Sequence, residues 1–343
     1  MTIRLQLKRK VEEDLFPDSS VDKITSGSHL LDKVLGGGWA VGRMVNIVGD
    51  RSSGKTLLAI EACANFANKI SNDGDIRYAE AEAAFDRAYA LSIGLPESVV
   101  FVGVENEEEK IDTVEKWYND MKKFAAARQK RKTPSLYVLD SIDALSDDAE
   151  MAREIDKGSY GASKPKKISE MFRREISNFE KANMTIFAIS QIRDKLNVTF
   201  GETKTRSGGH ALDFYASQIL WLAEIGKIKR SVYGVERVVG VNVLCKTKKN
   251  KVATPFRECE VEILFNYGVD DEASMINWLN KNKAIQPKEA VSLRAELVGI
   301  RKQEDIPEMR ELRKYLREAV DVRWNKIEAA LRPTFRKYGP GAV

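Results

Sequence analysis

The residues most able to do chemistry in this chain are Gly49, Asp50, Arg51, Ser52, Ser53, Gly54, Lys55 and Thr56, which fit the pattern G-x-x-x-x-G-K-[ST]. The glycines let the backbone curl with its N–H groups inward, and a helix opening behind them turns its positive end to the same point. Such a loop cradles phosphate. Lys55 suits the β- and γ-phosphates of a nucleoside triphosphate, and the Thr56 hydroxyl suits one position on Mg²⁺. A second element, Leu136-Tyr137-Val138-Leu139-Asp140, is an apolar strand that ends on a carboxylate. Ligands of parallel sheets gather at the carboxyl ends of the strands, so Asp140 is expected in the same crevice, holding Mg²⁺ through a water. A strand-ending acid is common and carries weight here only beside the phosphate loop.

Other residues have the right chemistry with more than one reading. Glu82, with Glu80 as its acidic neighbour, has the group needed to orient an attacking water, but alone it reads equally as a solvated loop carboxylate. Tyr89 offers a flat apolar face to a purine, or simply packs on a helix face. The run Lys246-Thr247-Lys248-Lys249-Asn250-Lys251 is a cluster of phosphate-seeking cations or a solvated basic turn. Two segments, 153–167 and 193–209, are rich in Gly, Ser, Thr and cations and poor in periodic apolar residues, so they are expected to order on a ligand. Their N–H groups, hydroxyls and cations, among them Arg193, Lys195 and Arg206, suit sequence-independent phosphate contacts, and Val198 and Phe200 are apolar tips able to wedge between bases. Ordinary solvated loops remain the alternative, and Lys164, Lys166 and Lys167 read equally as helix-start cations.

The elements that must position these groups alternate in type. Apolar runs at 44–48, 135–139, 185–190, 218–225 and 238–247 read as strands, with amphipathic helical stretches between the first three. Several runs are apolar throughout, as in parallel strands buried on both faces, whereas the later ones look antiparallel. The expectation is an α/β fold: a mostly parallel twisted sheet flanked by helices at 25–286, a short N-terminal arm at 1–24, and a mildly basic tail at 287–343 of about two or three helices. The arm carries an alternating Ile3, Leu5, Leu7 and is a candidate subunit contact.

Composition bounds the rest. The chain has 343 residues, 43% hydrophobic and 31% charged, enough for a substantial core and against wholesale disorder. A formal net charge of +5 is too mild to establish a nucleic-acid partner by itself. Cys63, Cys245 and Cys259 fit neither a zinc spacing nor a disulfide framework, and no stretch approaches a membrane span, so no membrane role and a cytoplasmic location are expected.

From Ser26 to Ile285 the text resembles the ATPase core of the RecA/UvsX-type recombinases of bacteria and phages. The resemblance rests on SGSHLLDKVLGGG before GRMVNIVGDRSSGKT, then YAEAEAAFDRAYALSIG, VLDSIDAL, FAISQIR, FGETKTRSGGHALDFYAS and KKNKVATPF, in the family's order and spacing. It implies a RecA-like P-loop ATPase core with ATP and Mg²⁺. Glu82 falls on the family's catalytic glutamate, Asp86 and Tyr89 on adenine contacts, and Gln191 on the γ-phosphate sensor ahead of a DNA-binding loop. Lys249 and Lys251 match lysines that reach a neighbouring subunit's γ-phosphate. The second mobile segment matches a DNA loop, which puts Arg193, Lys195, Val198, Phe200, Lys204, Arg206, Ser207, Gly208 and Gly209 on DNA; the first matches poorly. The implied protein is a DNA-dependent ATPase that forms a helical homo-oligomeric filament on single-stranded DNA, pairs it with homologous duplex DNA and exchanges strands, with single-strand-binding and mediator proteins as further partners. The amino-terminal arm is shorter than the family's, and the tail after Ile285 is not part of the resemblance. A RecA-fold ring helicase or motor, and an ATP-switched single-strand-annealing protein, are the rival readings.

Overall fold

Residues Met44–Gly49 and Ser135–Asp140 are buried at every position. Only a strand covered on both faces tolerates six consecutive residues of that kind, so these segments form the middle of a sheet with helices above and below. The computed structural model describes residues 21–69, 75–82, 85–102, 110–129, 133–153, 163–194, 204–206 and 209–332. The expected arm up to residue 20, most of both DNA segments, and residues 333–343 lie outside the described residues.

In chain order the elements are β1 (Lys23–Ile24), α1 (His29–Leu35), β2 (Trp39–Ala40), β3 (Met44–Gly49), α2 (Lys55–Lys69), β4 (Ile76–Glu80), α3 (Arg87–Ile93), β5 (Val100–Val102), α4 (Val114–Arg128), β6 (Ser135–Asp140), a 3₁₀ turn (Ile142–Ala144), α5 (Asp148–Met151), α6 (Ser163–Lys181), β7 (Met184–Asp194), β8 (Lys204–Arg206), α7 (Gly209–Tyr215), β9 (Gln218–Val232), β10 (Val235–Asn250), β11 (Glu258–Leu264), β12 (Gly268–Asp270), α8 (Asp271–Lys281), α9 (Pro287–Gln303) and α10 (Ile306–Leu331). The large sheet has the order β12-β11-β10-β9-β3-β7-β6-β4-β5, with β8 on β7. Strands β9, β3, β7, β6, β4 and β5 run parallel, and β10, β11 and β12 continue the sheet antiparallel.

The pleat assigns alternate residues to opposite layers. Phe187 of β7 meets Phe66 of α2 edge-on at 6.4 Å, while its neighbours Ile186 and Ala188 join the cluster of Trp117, Phe124 and Phe172 contributed by α4 and α6. Local signals set the helix ends. Ser28 caps α1 by accepting from the Leu31 N–H, and Gly36 closes it at φ 82°. Asp86 caps α3, accepting from the Tyr89 N–H. Pro287 opens α9, the position at which a missing N–H costs nothing.

The strands fall where the apolar runs lie, but β9 and β10 extend well past the expected 218–225 and 238–247. Strand β9 pairs with β3 over Gln218–Leu222 and with β10 along its length, so among the described strands its outer half has β10 alone as a neighbour. Both faces of that half meet solvent, which removes the apolar pattern by which a strand is read in sequence. The chain divides into two compact units at Asp270/Asp271. The helical unit therefore starts at α8, before the expected boundary at 287. Within it Trp278 packs on Trp324 at 5.8 Å, and buried Glu272 receives Arg301 at 3.2 Å and Arg313 at 2.5 Å.

Candidate nucleotide site

The site assembles at one edge of the sheet because strand register puts the ends of four parallel strands level. Gly49 of β3 pairs with Gln191 of β7, and Glu80 of β4 pairs with Asp140 of β6. Each strand delivers one chemically competent residue, or the turn carrying it, to a common line.

The phosphate loop leaves β3 at Gly49. A Cβ there would stand 2.3 Å from Ser53 Oγ, and one at Gly54, where φ is 87°, would stand 2.6 Å from Ile263 Cδ1. Both glycines are needed to draw the loop in. Asp50, Arg51 and Ser52 are exposed on its outside, Ser52 with a φ of 58°, and buried Ser53 donates its hydroxyl to the Asp50 carbonyl at 2.8 Å. Helix α2 begins at Lys55 with no acid in its first turn, so the N–H groups that no helix pairs internally keep their positive field.

Lys55 is buried, and its ammonium donates to the Asp50 carbonyl at 2.6 Å. Burial lowers its pKa, opposed by the charges of Asp140, Glu82, Asp143 and Asp50. Asp140 accepts from Thr56 Oγ1 at 2.7 Å and from the Tyr78 hydroxyl at 2.9 Å. Its carboxyl is pushed up to about 6 by burial, against those two hydrogen bonds and with a further upward push from Glu82 and Glu80. The Thr56 hydroxyl and Asp140 carboxylate are adjacent hard oxygen donors of the kind Mg²⁺ prefers. A cradle closed by two glycines, a buried lysine and this oxygen pair fit a nucleoside triphosphate with its metal.

Glu82 sits just beyond β4. Its backbone N–H donates to Glu80 Oε1 at 2.9 Å, and its Oε1 accepts from the Ser141 hydroxyl and from Gln191 Nε2, the latter at 3.1 Å. The Gln191 N–H donates in turn to Asp143 Oδ2 at 2.6 Å. Exposed Asp86 uses its carboxylate to cap α3, and Tyr89 is 38% exposed on the same helix, so its ring is open to solvent. Sequence reasoning missed Tyr78, Ser141 and Asp143. Only Ser141 had a signal, as the hydroxyl directly after the strand-ending carboxylate.

Arg206 and Lys249 hold partners within the chain. Arg206, expected on DNA, is buried: one guanidinium nitrogen donates to Asn46 Oδ1 and another to Asp213. Asn46 is a lone amide in an otherwise apolar strand, and its remaining donors go to the Ala188 carbonyl at 2.7 Å and Ser190 Oγ at 2.9 Å. A buried amide oxygen needs a donor, and Arg206 supplies it. Lys249, expected to reach another subunit, donates to the carbonyls of Asp213 and Phe214, the second at 3.0 Å. Lys251 is exposed. Lys195, Val198, Phe200, Ser207 and Gly208 lie outside the described residues, as do the side chains of Arg193 and Lys204, and Gly209 opens α7.

Residues 13–270 match the RecA N-terminal domain family. Among curated relatives, Protein RecA of Prochlorococcus marinus (strain NATL1A) is 32% identical over 271 residues, which is 79% of this chain and 67% of the relative. Protein RecA of Legionella pneumophila (strain Corby) is 34% identical over 258 residues, 75% of this chain and 69% of the relative. The family match ends where the larger compact unit ends, at Asp270.

Proposed function

Because the chain belongs to the RecA family, we propose that it is an ATP-hydrolysing recombinase that assembles on single-stranded DNA and exchanges strands with a homologous duplex. The observation that carries this reading is the hydrogen bond from Gln191 to Glu82 at the mouth of the phosphate cradle. It joins a carboxylate able to orient water to the strand that leads into the second candidate DNA segment, 193–209.

In this reading the phosphate loop and Lys55 hold the β- and γ-phosphates, with Tyr89 and Asp86 toward the adenine. Thr56, and Asp140 through a water, would hold Mg²⁺, which would supply charge neutralisation at the phosphates. Glu82 accepts a proton from, or aligns, the attacking water. Gln191 shares that carboxylate, so γ-phosphate and Glu82 compete for the same amide. Loss of the phosphate returns the amide to Glu82 and shifts the end of β7, and that shift is felt by the DNA segment. Lys249 and Lys251 of a neighbouring copy complete the charge around the transferred group, which makes turnover depend on assembly. The tail beyond Asp270 is a separate helical unit, and residues 1–24 are the arm toward the next subunit.

Electron microscopy with single-stranded DNA and a non-hydrolysable ATP analogue tests the assembly, alongside joint-molecule assays. Helical filaments with strand exchange support the reading; closed hexameric rings that unwind duplex overturn it in favour of a ring motor. Lys55→Ala abolishes ATP binding and filament growth if the cradle is the nucleotide site.

A further inference from the structure

Arg206 and Lys249 meet at one place. Arg206 lies near the end of the second candidate DNA segment, and its guanidinium reaches the Asp213 carboxylate on α7. Lys249 of β10 places its ammonium on the last carbonyls of the same helix, those of Asp213 and Phe214. Carbonyls at a helix C-terminus lack intrahelical donors and carry its negative end, so they are a favourable seat for a cation. Asp213 adds a formal negative charge to that seat. The Asp213 side chain is 58% exposed and the Arg206 side chain 5%, so the arginine is the fixed member of the pair, locked from behind by Asn46.

We infer that Asp213 is a positioning residue for Lys249, and that Arg206 sets how tightly Lys249 is held by neutralising Asp213. The inference rests on the reading of Lys249 as the lysine that serves a neighbouring subunit. To reach a phosphate in another copy, its ammonium must leave the end of α7. With Arg206 seated on Asp213, the local charge is balanced and the departing lysine gives up little more than two carbonyl contacts. With Arg206 withdrawn, the carboxylate attracts the ammonium fully. The direction of the electrostatics agrees: Lys249 is shifted down by burial first and by Lys251, with Asp213 pulling it up and Arg206 pushing it down. The second segment thereby acts on the intersubunit lysine through the Arg206–Asp213 charge pair, with no DNA contact by Arg206 itself.

The test uses the full chain with Arg206→Gln, Asp213→Asn and the double variant. Glutamine keeps a donor for Asn46, and asparagine at an exposed position leaves the fold intact, which thermal unfolding verifies. Lys249 is followed directly by mass-spectrometric measurement of its acylation by an amine-reactive ester in the DNA-free chain. Labelling is expected to slow several-fold in Arg206→Gln and to return to at least the original rate in the double variant, because the carboxylate is gone. Unchanged labelling across the three variants overturns the inference. In the ATPase assay with single-stranded DNA, Arg206→Gln lowers kcat about tenfold with KM for ATP held within about twofold, and Asp213→Asn restores it in the double variant. Arg206 as a direct phosphate contact predicts instead a fall in DNA affinity and in salt dependence that Asp213→Asn does not rescue, and that result also overturns it. If the labelling pattern holds while the unmodified chain shows no DNA-stimulated turnover, the positioning of Lys249 stands and the proposed function fails.

Discussion

Gln191 Nε2 donates to Glu82 Oε1 at 3.1 Å, bridging the ends of β7 and the turn after β4 although the residues lie 109 positions apart. Strands β6 and β7 are neighbours and β4 lies one strand further, so the bond spans the strand that carries Asp140. The amide and the carboxylate hold each other over the strand end that carries Asp140.

Substituting Gln191 by Ala removes the amide and leaves Glu82 with Ser141. ATP binding is expected to stay within about twofold, while stimulation of turnover by single-stranded DNA is largely lost. Nucleotide titration and kcat with and without DNA measure the two separately; equal loss in both would remove Gln191 from the coupling role.

The variant Glu82→Gln keeps the volume and a hydrogen-bonding oxygen but no basic group. Loss of a general base costs on the order of 10²–10⁴-fold in rate. Turnover is expected to fall into that range, with filaments still forming on ATP. Single-turnover hydrolysis on preformed filaments is the measurement.

Asp140 gives a pH signature. Its carboxyl is raised to about 6 from 3.8, so the folded chain binds its proton more tightly than the unfolded chain. The stability tied to that proton is complete below pH 3.8 and is lost as pH rises through about 6, a swing of at most ~3 kcal/mol in the nucleotide-free protein. Urea unfolding between pH 4 and 7 should show that extra decline in the native chain relative to Asp140→Asn. Nucleotide with Mg²⁺ needs the ionised carboxylate, so its affinity rises across the same window.

Gly54→Ala tests the cradle. At a φ of 87° an added Cβ is strained and meets Ile263 Cδ1 at 2.6 Å. The expected cost is about 1–3 kcal/mol of stability, with ATP affinity down at least tenfold, read by thermal unfolding and nucleotide titration.

In the helical unit, Glu272 is 2% exposed and serves both Arg301 and Arg313. Glu272→Ala leaves two cations without their shared carboxylate. Both arginines reach solvent, so the loss is expected at or below ~3 kcal/mol, the lower end for a buried pair. Denaturant unfolding checks the size of the loss.

By itself the sequence determined the phosphate loop, the buried strands and the helix ends. Each of these is local: Gly54 acts through its own backbone freedom, MVNIV and SLYVL through their largely apolar runs, Ser28 and Asp86 through caps three residues away. The family resemblance then named Glu82, Gln191 and Lys249, but not what they touch. Tertiary structure decided that, because the strand order β3-β7-β6-β4 brings together residues far apart in the chain, and no periodicity encodes an order of strands. It also gave Arg206 its partners within the fold. In sequence it is one more cation in a polar segment; in the fold, the buried oxygen of Asn46 and the Asp213 carboxylate offer it partners that compensate its lost hydration. A charge is drawn inside only where such partners converge, and that convergence exists only once the sheet has formed.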